Sequence, residues 1–188
     1  MADSRLKIRD AVESIKPFDV LEKKHKEDVL EWIDSGSPLF RISKPDNPPK
    51  HLVSYFVLYD PQAQSLMLID HIKAGLWLPT GGHVDIDEDP RDTVVREAEE
   101  ELKINADFGT IFGDDPFFVT VTETRNAGVH TDVSLWYIIK GSLDAGLDFD
   151  TGEMNGVRWQ TTEEILKSNI DELDPHMHRF TNKMKEFN

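Results

Sequence analysis

The sequence predicts a mixed α/β fold in which helices cover a β-sheet, and three observations lead to this class. Strand-like segments and segments with helical spacing follow one another irregularly after residue 50, as expected for a sheet covered by helices. The first 50 residues have helical spacing instead. With 188 residues, of which 38% are hydrophobic and 30% charged, the chain can form one sizeable soluble domain with a small addition.

Residues 1–36 are predicted to form two helices. Apolar residues recur at helical spacing before Pro17, which interrupts the first helix. Asp19 and Glu22 are suited to a capping box for the second helix, which is expected to stop at Gly36. The apolar positions that this second helix is expected to turn inward are Leu21, Val29, Trp32 and Ile33.

A proline-rich connector over residues 44–50 separates these helices from the rest of the chain. We therefore divide the sequence into an N-terminal helical extension with its linker, residues 1–50, and a main domain, residues 51–188. The main domain opens with two runs rich in β-formers, which predict a hairpin with its turn at residues 60–64. Further strands are predicted in DPFFVTVTETR, HTDVSLWYIIKG and GVRW, and closing helices in TTEEILKS and PHMHRFTNKMKEF.

The formal net charge of −15 limits the classes of partner. Such an acidic protein repels nucleic acid and anionic membranes unless a bound cation reverses the local field, so neither is expected as a partner. The apolar runs fall short of the roughly 20 residues that a membrane-spanning helix requires, and the first ten residues lack the apolar core of a secretory signal. Because there is no cysteine, thiolate chemistry and cysteine-based zinc sites are excluded, and a cytoplasmic location is the default expectation.

After a loop rich in acids comes a helix with clear start signals. Asp89 suits an N-cap and Pro90 the first helical position, so the helix is predicted to run from about Pro90 to Leu102. Its buried stripe is expected to consist of Val94, Val95, Ala98 and Leu102.

Glu97, Glu100 and Glu101 fall on one arc beside that stripe. Like charges at these spacings destabilise a helix by a few tenths of a kcal/mol per pair, and the helix dipole disfavours negative charge near the C-terminus. Clustered oxygen ligands are what Mg²⁺ or Mn²⁺ requires. From these residues alone a solvated acidic face is a commoner explanation than a metal site. The flanking residues shift the balance toward the metal site.

The flanking residues extend the acidic run into a longer pattern: a glycine, a glutamate after five residues, Arg-Glu after seven more, then an aliphatic residue and a Glu-Glu pair. The residues that carry this spacing are Gly82, Glu88, Arg96, Glu97, Ala98, Glu100, Glu101 and Ile104.

This pattern resembles the Nudix box, the signature of the Nudix hydrolase family, at six of its seven invariant positions. Lys103 stands where the family has its second glycine. A glycine there suits a left-handed residue after the helix, a conformation that costs lysine roughly 1 kcal/mol or more. Either Lys103 bears that cost, or the helix continues and Asn105 takes the left-handed turn.

The resemblance implies an α/β/α sandwich with a mixed sheet, and a hydrolase that cleaves a phosphoanhydride bond in a nucleoside diphosphate linked to another group. It also implies Mg²⁺ or Mn²⁺ as cofactor. The implied metal ligands are Glu97, Glu100, Glu101 and the carbonyl of Gly82. Glu97 or Glu100 is the expected general base, and Glu153, in a later loop, is the alternative.

Arg96 is expected to contact Glu88 or Glu97 and so hold the carboxylates in orientation, with Glu88 in a structural role within the motif. Four other residues are weaker candidates for substrate binding, since each also has an ordinary structural explanation. They are His83, Lys73, Arg125 and His130.

The main alternative function is a non-hydrolysing Nudix-fold protein that binds or senses a nucleotide. No box glutamate is lost, which favours the hydrolase. A third hypothesis, an acidic interaction module with a chance box, predicts no specific metal site. The expected partner is a small nucleotide-type diphosphate, and the N-terminal helices offer a contact for a homodimer or a lid.

Overall fold

The computed structural model describes residues 2–44, 46–124 and 129–187. Within this part of the chain the helices are α1 (Ala2–Ser14), α2 (Val20–Asp34), α3 (Pro90–Leu102), α4 (Thr162–Lys167) and α5 (Met177–Phe187), with a 3₁₀ turn at Ile170–Glu172. The strands are β1 (Lys50–Asp60), β2 (Ser65–His71), β3 (Leu76–Leu78), β4 (Thr80–His83), β5 (Phe118–Glu123), β6 (Thr131–Lys140) and β7 (Met154–Thr161). None of the described helices has the length and apolar character needed to cross a bilayer.

The elements confirm the predicted α/β class. The strand order is β3-β2-β1-β6-β5, with β4 paired to β1 and β7 paired to β2. The predicted hairpin is formed by β1 and β2, in which Tyr59 lies opposite Leu66. Sequence analysis missed β3 and β4 because strands of three and four residues are too short for alternation to reveal them.

By its contacts the chain divides into two compact units. Unit 1 comprises residues 1–55, 81–94 and 114–137, and unit 2 comprises residues 56–80, 95–113 and 138–188. The strands β1 and β6 and the helix α3 each contribute residues to both units. The proposed division of the sequence at residue 50 stays a prediction.

In unit 1, α2 packs against α1 and β5. Val29 and Ile33 are buried, as the periodicity predicts. The prediction for Leu21 is wrong, since 42% of this residue is exposed. Trp32 is only partly buried. The ammonium group of Lys50 lies 5.0 Å from the centre of its ring, so the ring makes a cation–π contact in addition to its partial burial.

The start of α2 explains why Leu21 is displaced. Asp19 caps the helix by accepting a hydrogen bond of 2.7 Å from the N–H of Glu22. The Glu22 carboxylate is itself buried and accepts from the N–H of Phe18 at 2.6 Å, whereas a capping box would direct it to the N–H of Asp19. Glu22 therefore takes the inward position at this end, and Leu21 faces solvent.

Helix α3 has the bounds that its start and stop signals predict. The N–H of Arg91 donates to Asp89 Oδ1 at 2.9 Å, which satisfies one of the first backbone donors of the helix. Its buried positions include three of the four predicted ones, Val94, Ala98 and Leu102.

The fourth position, Val95, was predicted to be buried, but 42% of it is exposed. Thr93 is buried on the opposite edge of the stripe and donates a hydrogen bond of 2.7 Å to Glu88 Oε2. A stripe of apolar residues predicts the buried face of a helix only to within about one residue on each side. Thr93, whose hydroxyl is bonded to Glu88, can therefore be buried at one edge while Val95 is exposed at the other.

Lys103 adopts the left-handed conformation itself, with φ of 54°. The alternative in which Asn105 makes the turn is wrong, since α3 ends at Leu102. The N–H of Ile104 then donates to the carbonyl of Ala98 at 3.2 Å, and the Lys103 ammonium group donates to the carbonyl of Glu100 at 2.9 Å. These bonds satisfy carbonyls at the helix end and offset part of the backbone strain.

In unit 2, β2 pairs along its length with β7 and, near its end, with β3. Helices α4 and α5 pack against each other, and α4 also packs on β7. The inward face of α5 carries Met177, Phe180 and Met184, which are fully buried at helical spacing. Ahead of α5 lies Asp174, which is only 5% exposed.

Burial raises the pKa of Asp174 to about 6, although the hydrogen bond that it accepts from the N–H of His176 at 2.7 Å lowers it in part. Because this pKa lies above the unfolded value of about 3.9, ionisation opposes folding, and stability is lost as the pH rises from about 4 to about 6. Asp174→Asn should therefore raise the free energy of unfolding by up to about 3 kcal/mol at pH 7.5 and by about half of that at pH 5.

Urea denaturation of both proteins at the two pH values measures this difference. Asn can still accept from the N–H of His176, so the variant removes the charge and retains the hydrogen bond. Asp171→Asn makes the same change at an exposed position and is the control. A stabilisation by Asp174→Asn of equal size at both pH values would show that ionisation of Asp174 is not its cause.

Candidate functional site

The predicted acidic cluster on α3 is organised around Arg96. Its Nη1 atom lies 2.6 Å from Glu97 Oε1 and 3.6 Å from Glu100 Oε2. The Glu97 side chain is only 12% exposed, whereas that of Glu100 is 60% exposed. Arg96 therefore contacts Glu97, one of its two expected partners, and fixes the orientation of a carboxylate that is largely removed from water.

The electrostatic environment of Glu97 favours uptake of a cation. Burial raises its pKa, and the charges of Glu100 and Glu153 act in the same direction, while the hydrogen bond and charge of Arg96 oppose them. The net shift is upward. A desolvated carboxylate with further carboxylates beside it binds either a proton or a cation more strongly than a carboxylate in water.

Glu101 and Glu153 are connected to the same part of unit 2 by backbone hydrogen bonds. Glu101 is 7% exposed, and its carbonyl accepts from the N–H of Asp150 at 2.9 Å. The carbonyl of Glu153, in that loop, accepts from the N–H of Ile72 at 3.0 Å. The loop is thus tethered both to the end of α3 and to the turn after β2, which brings Glu153 within electrostatic range of Glu97.

Lys73 lies in the same turn after β2, where its side chain is exposed. Burial lowers the pKa of His71, the charge of Glu153 opposes this, and the charge of Lys73 adds to it. Lys73 is therefore in the electrostatic neighbourhood of Glu153. No described hydrogen bond or ion pair fixes the Lys73 ammonium group, so its proposed role toward substrate stays a prediction.

The other motif residues belong to unit 1. Glu88 Oε2 accepts from the N–H of Asp85 at 3.0 Å and from the hydroxyl of Thr93 at 2.7 Å. These bonds hold the acidic loop against the start of α3, consistent with the structural role predicted for Glu88. Gly82 lies in β4, immediately before His83, and the part predicted for its carbonyl stays a prediction.

A second cluster lies entirely within unit 1 and consists of Asp46, His51, His83 and His130. One potential ligand atom from each of these residues lies within 4.8 Å of those of the other three. The ring of His51 lies 4.9 Å from that of His83 and 5.1 Å from that of His130. We call these four residues the histidine cluster.

Two carboxylates flank the imidazoles of the histidine cluster. Asp132 Oδ1 lies 3.3 Å from His51 Nε2 and 3.2 Å from His130 Nε2. Asp46 Oδ2 lies 3.2 Å from His130 Nδ1, and its Oδ1 atom lies 3.3 Å from Arg41 Nη1. The cation Arg41 is thereby paired with one of the carboxylates.

Two imidazoles of the histidine cluster, His83 and His51, differ in their affinity for protons. Burial lowers the pKa of His83 to about 4, and the charges of Arg41 and His51 add to this effect. Burial also lowers the pKa of His51, but Asp132 and the carbonyl of Pro48 outweigh burial and leave it raised. His83 is therefore neutral at pH 7, which is the form that ligates metals.

The structure thus rearranges the predicted substrate-binding residues. His83 and His130, which the sequence suggested separately, belong to one cluster, and Arg125 lies outside the described residues. Sequence analysis missed Asp46, His51 and Asp132. In the sequence these residues are distinguished only by lying near a strand terminus or in the linker. Many residues without a shared function lie in such places.

The two clusters differ in donor chemistry. The glutamates of α3 offer carboxylate oxygens, which suit hard ions such as Mg²⁺ and Mn²⁺. The histidine cluster offers imidazole nitrogens with one or two carboxylates, which suit zinc and other transition metals. The donor set of the α3 glutamates therefore fits the cofactor that the sequence motif implies.

Comparison with known proteins identifies the family of the chain. The NUDIX domain family model matches residues 49–184. Among solved structures, a NUDIX-family hydrolase from Clostridium perfringens is 18% identical, with a TM-score of 0.56, over 73% of this chain and 98% of that chain. No curated protein matches the chain.

Two other solved structures have named substrates. An Ap4A hydrolase from C. elegans is 18% identical, with a TM-score of 0.54, over 72% of this chain and 96% of that chain. The E. coli dihydroneopterin triphosphate pyrophosphohydrolase is 13% identical, with a TM-score of 0.53, over 77% of this chain and 99% of that chain. At these identities the likeness establishes the fold and leaves the substrate open.

Proposed function

This chain belongs to the Nudix hydrolase family and is a Nudix-type pyrophosphohydrolase; we propose that it requires a divalent metal and cleaves a nucleoside diphosphate linked to another group. The observation that carries the proposal is the largely buried carboxylate of Glu97, held by Arg96 among further carboxylates. Such a cluster is electrostatically costly in isolation. A hard dication would stabilise it.

The α3 glutamates would hold the metal, with Glu97, Glu100 and Glu101 as ligands. Bound Mg²⁺ or Mn²⁺ would supply neutralisation of the diphosphate oxygens and a lowered pKa for a coordinated water. Arg96 would hold Glu97 in orientation for ligation, because its guanidinium contacts Oε1 at 2.6 Å.

The proton of the attacking water needs a carboxylate acceptor. Glu97, Glu100 and Glu153 are the candidates, since the charges of Glu100 and Glu153 both act on Glu97. Removal of this proton as the water attacks phosphorus generates the nucleophile, and the leaving phosphate departs with the electrons of the phosphoanhydride bond. The products are two phosphate-bearing fragments that together contain one added water.

The test is hydrolysis of a substrate panel by protein that has been stripped of metal with EDTA. The panel includes nucleotide sugars, ADP-ribose and dinucleoside polyphosphates, as well as Ap4A and dihydroneopterin triphosphate, the compounds that two structural neighbours are named for. We expect no turnover without metal and turnover with Mg²⁺ or Mn²⁺. In H₂¹⁸O, mass spectrometry should find one ¹⁸O atom in one product of each cleavage.

Measuring nucleotide binding and product formation together separates hydrolysis from ligand sensing. If calorimetry shows that a nucleotide binds in the presence of Mg²⁺ and no product forms, the non-hydrolysing alternative gains support. Turnover that is equal with and without EDTA would contradict metal dependence.

A further inference from the structure

The histidine cluster has a feature that the hydrogen bonds of a neutral His51 do not explain. His51 is fully buried, and its Nδ1 atom lies 2.9 Å from the carbonyl of Pro48. A carbonyl can only accept, so the proton of neutral His51 resides on Nδ1. The Nε2 atom then presents a lone pair.

That lone pair faces another acceptor. His51 Nε2 lies 3.3 Å from Asp132 Oδ1, and both atoms are buried without a well-aligned hydrogen bond to any described residue. Buried polar atoms of this kind destabilise a fold unless a partner satisfies them. Two converging lone pairs need a cation or a proton between them.

Two distances in the cluster match those of ligands that share one metal ion. Two ligands bound at 2.0–2.1 Å to a tetrahedral ion lie about 3.4 Å apart. Asp132 Oδ1 lies 3.3 Å from His51 Nε2 and 3.2 Å from His130 Nε2. In a metal-ligating histidine, the second ring nitrogen usually donates a hydrogen bond to a carbonyl or carboxylate. The contact between His51 Nδ1 and the carbonyl of Pro48 is of this kind.

We propose that the histidine cluster binds a first-row transition-metal cation such as Zn²⁺ through His51, His83 and His130, with a carboxylate oxygen from Asp46 or Asp132. This site shares no side chain with the Mg²⁺ site proposed on α3. Imidazole ligands select transition metals over Mg²⁺.

The metal would join separate segments of unit 1. Asp46 comes from the linker, His51 from β1, and His83 from the end of β4, while His130 directly precedes β6. An occupied site would therefore fasten three strands of the same unit together, and the linker as well where Asp46 is the carboxylate ligand, and would stabilise the folded state by the free energy of binding. Because His83 follows Gly82, it would also fix the end of β4.

The test is cobalt binding by the full chain after removal of metals with a chelator. Co²⁺ in a histidine-rich site gives visible ligand-field absorption, and titration should show one equivalent bound. A millimolar excess of Mg²⁺ should leave this absorption in place, and Zn²⁺ should abolish it by displacement. Bound Zn²⁺ should also raise the melting temperature.

Two variants locate the site, and two others serve as controls. His83→Ala and His130→Ala should weaken Co²⁺ binding by about 100-fold or more and remove the effect of Zn²⁺ on melting. His176→Ala makes the same substitution outside the histidine cluster and should bind as wild type does. Glu100→Gln should also retain the Co²⁺ site, which distinguishes it from the proposed Mg²⁺ site.

Circular dichroism and a cooperative thermal transition establish that each variant is folded, and His51, which is completely buried, is left intact for this reason. Three results would overturn the proposal: no Co²⁺ or Zn²⁺ uptake by folded wild type, unchanged affinity in both histidine variants, or full displacement of Co²⁺ by Mg²⁺. Any of them would leave a protonated imidazole–carboxylate network as the explanation of the cluster.

Discussion

Replacing Glu97 or Glu100 by glutamine is expected to lower kcat/KM by about 10²- to 10³-fold, equivalent to roughly 3–4 kcal/mol of transition-state stabilisation. Each change keeps the size of the side chain and removes one negative charge from the proposed metal site. The Glu97 carboxylate is held by Arg96 at 2.6 Å, so its loss removes an oriented ligand. The measurement is the rate of diphosphate hydrolysis at saturating and limiting Mg²⁺.

Glu99→Gln is the matched control, because it makes the same change on the same helix at an exposed position outside the acidic arc. Its kcat/KM should stay within about twofold of wild type, since surface substitutions of this kind have small effects. For Glu97→Gln or Glu100→Gln, a higher Mg²⁺ requirement would identify a lost ligand, whereas an unchanged requirement with a lower kcat would identify the proton acceptor. Wild-type turnover in both variants would remove the α3 glutamates from the site.

Arg96 changes the electrostatics of the α3 glutamates. The crowding of negative charge on α3 is costly, and the sequence predicts that a bound metal relieves it. In the structure Arg96 contacts both Glu97 and Glu100, so part of the repulsion is relieved within the helix. The charge cluster is therefore weaker evidence for a metal than its sequence suggests, and the burial of Glu97 with its raised pKa is the stronger evidence.

Local chemistry explains what the sequence could predict. The bounds of α3 follow from Asp89 and Pro90 at its start, and these signals act within a few residues. The box spacing likewise lies within one segment, so the carboxylates could be identified before the fold was known. Lys103 was the one departure, and the structure shows that it takes the left-handed conformation itself.

Long-range packing explains what the sequence could not predict. Leu21 is exposed because the Glu22 carboxylate is buried and accepts a hydrogen bond from the N–H of Phe18. Val95 is exposed because the buried face of α3 includes Thr93 on its other side. The histidine cluster is the clearest case. Asp46, His51 and His130 are brought together by the positions of the linker and two strands, and nothing in the spacing of these residues records that arrangement.

Gly81→Ala is expected to be the most destabilising of the proposed substitutions. Gly81 has φ of 149°, a conformation that residues with a Cβ rarely adopt, and an added Cβ would lie against the carbonyl oxygen of Ser54 and 2.9 Å from Tyr55 Cα. These are backbone atoms of β1, so β4 would have to move away from its partner strand. Overpacking together with backbone strain should lower the free energy of unfolding by about 3 kcal/mol or more.

Gly156→Ala is the control, since it introduces the same methyl group into β7 at a position where nothing lies within 4 Å and φ is ordinary. Urea denaturation followed by circular dichroism measures both variants. If Gly81→Ala fails to fold, the control still shows that a strand glycine can be replaced without harm. Should Gly81→Ala be as stable as Gly156→Ala, the close approach of β4 to β1 would be wrong, and with it the position of the neighbouring Gly82 and His83 in unit 1.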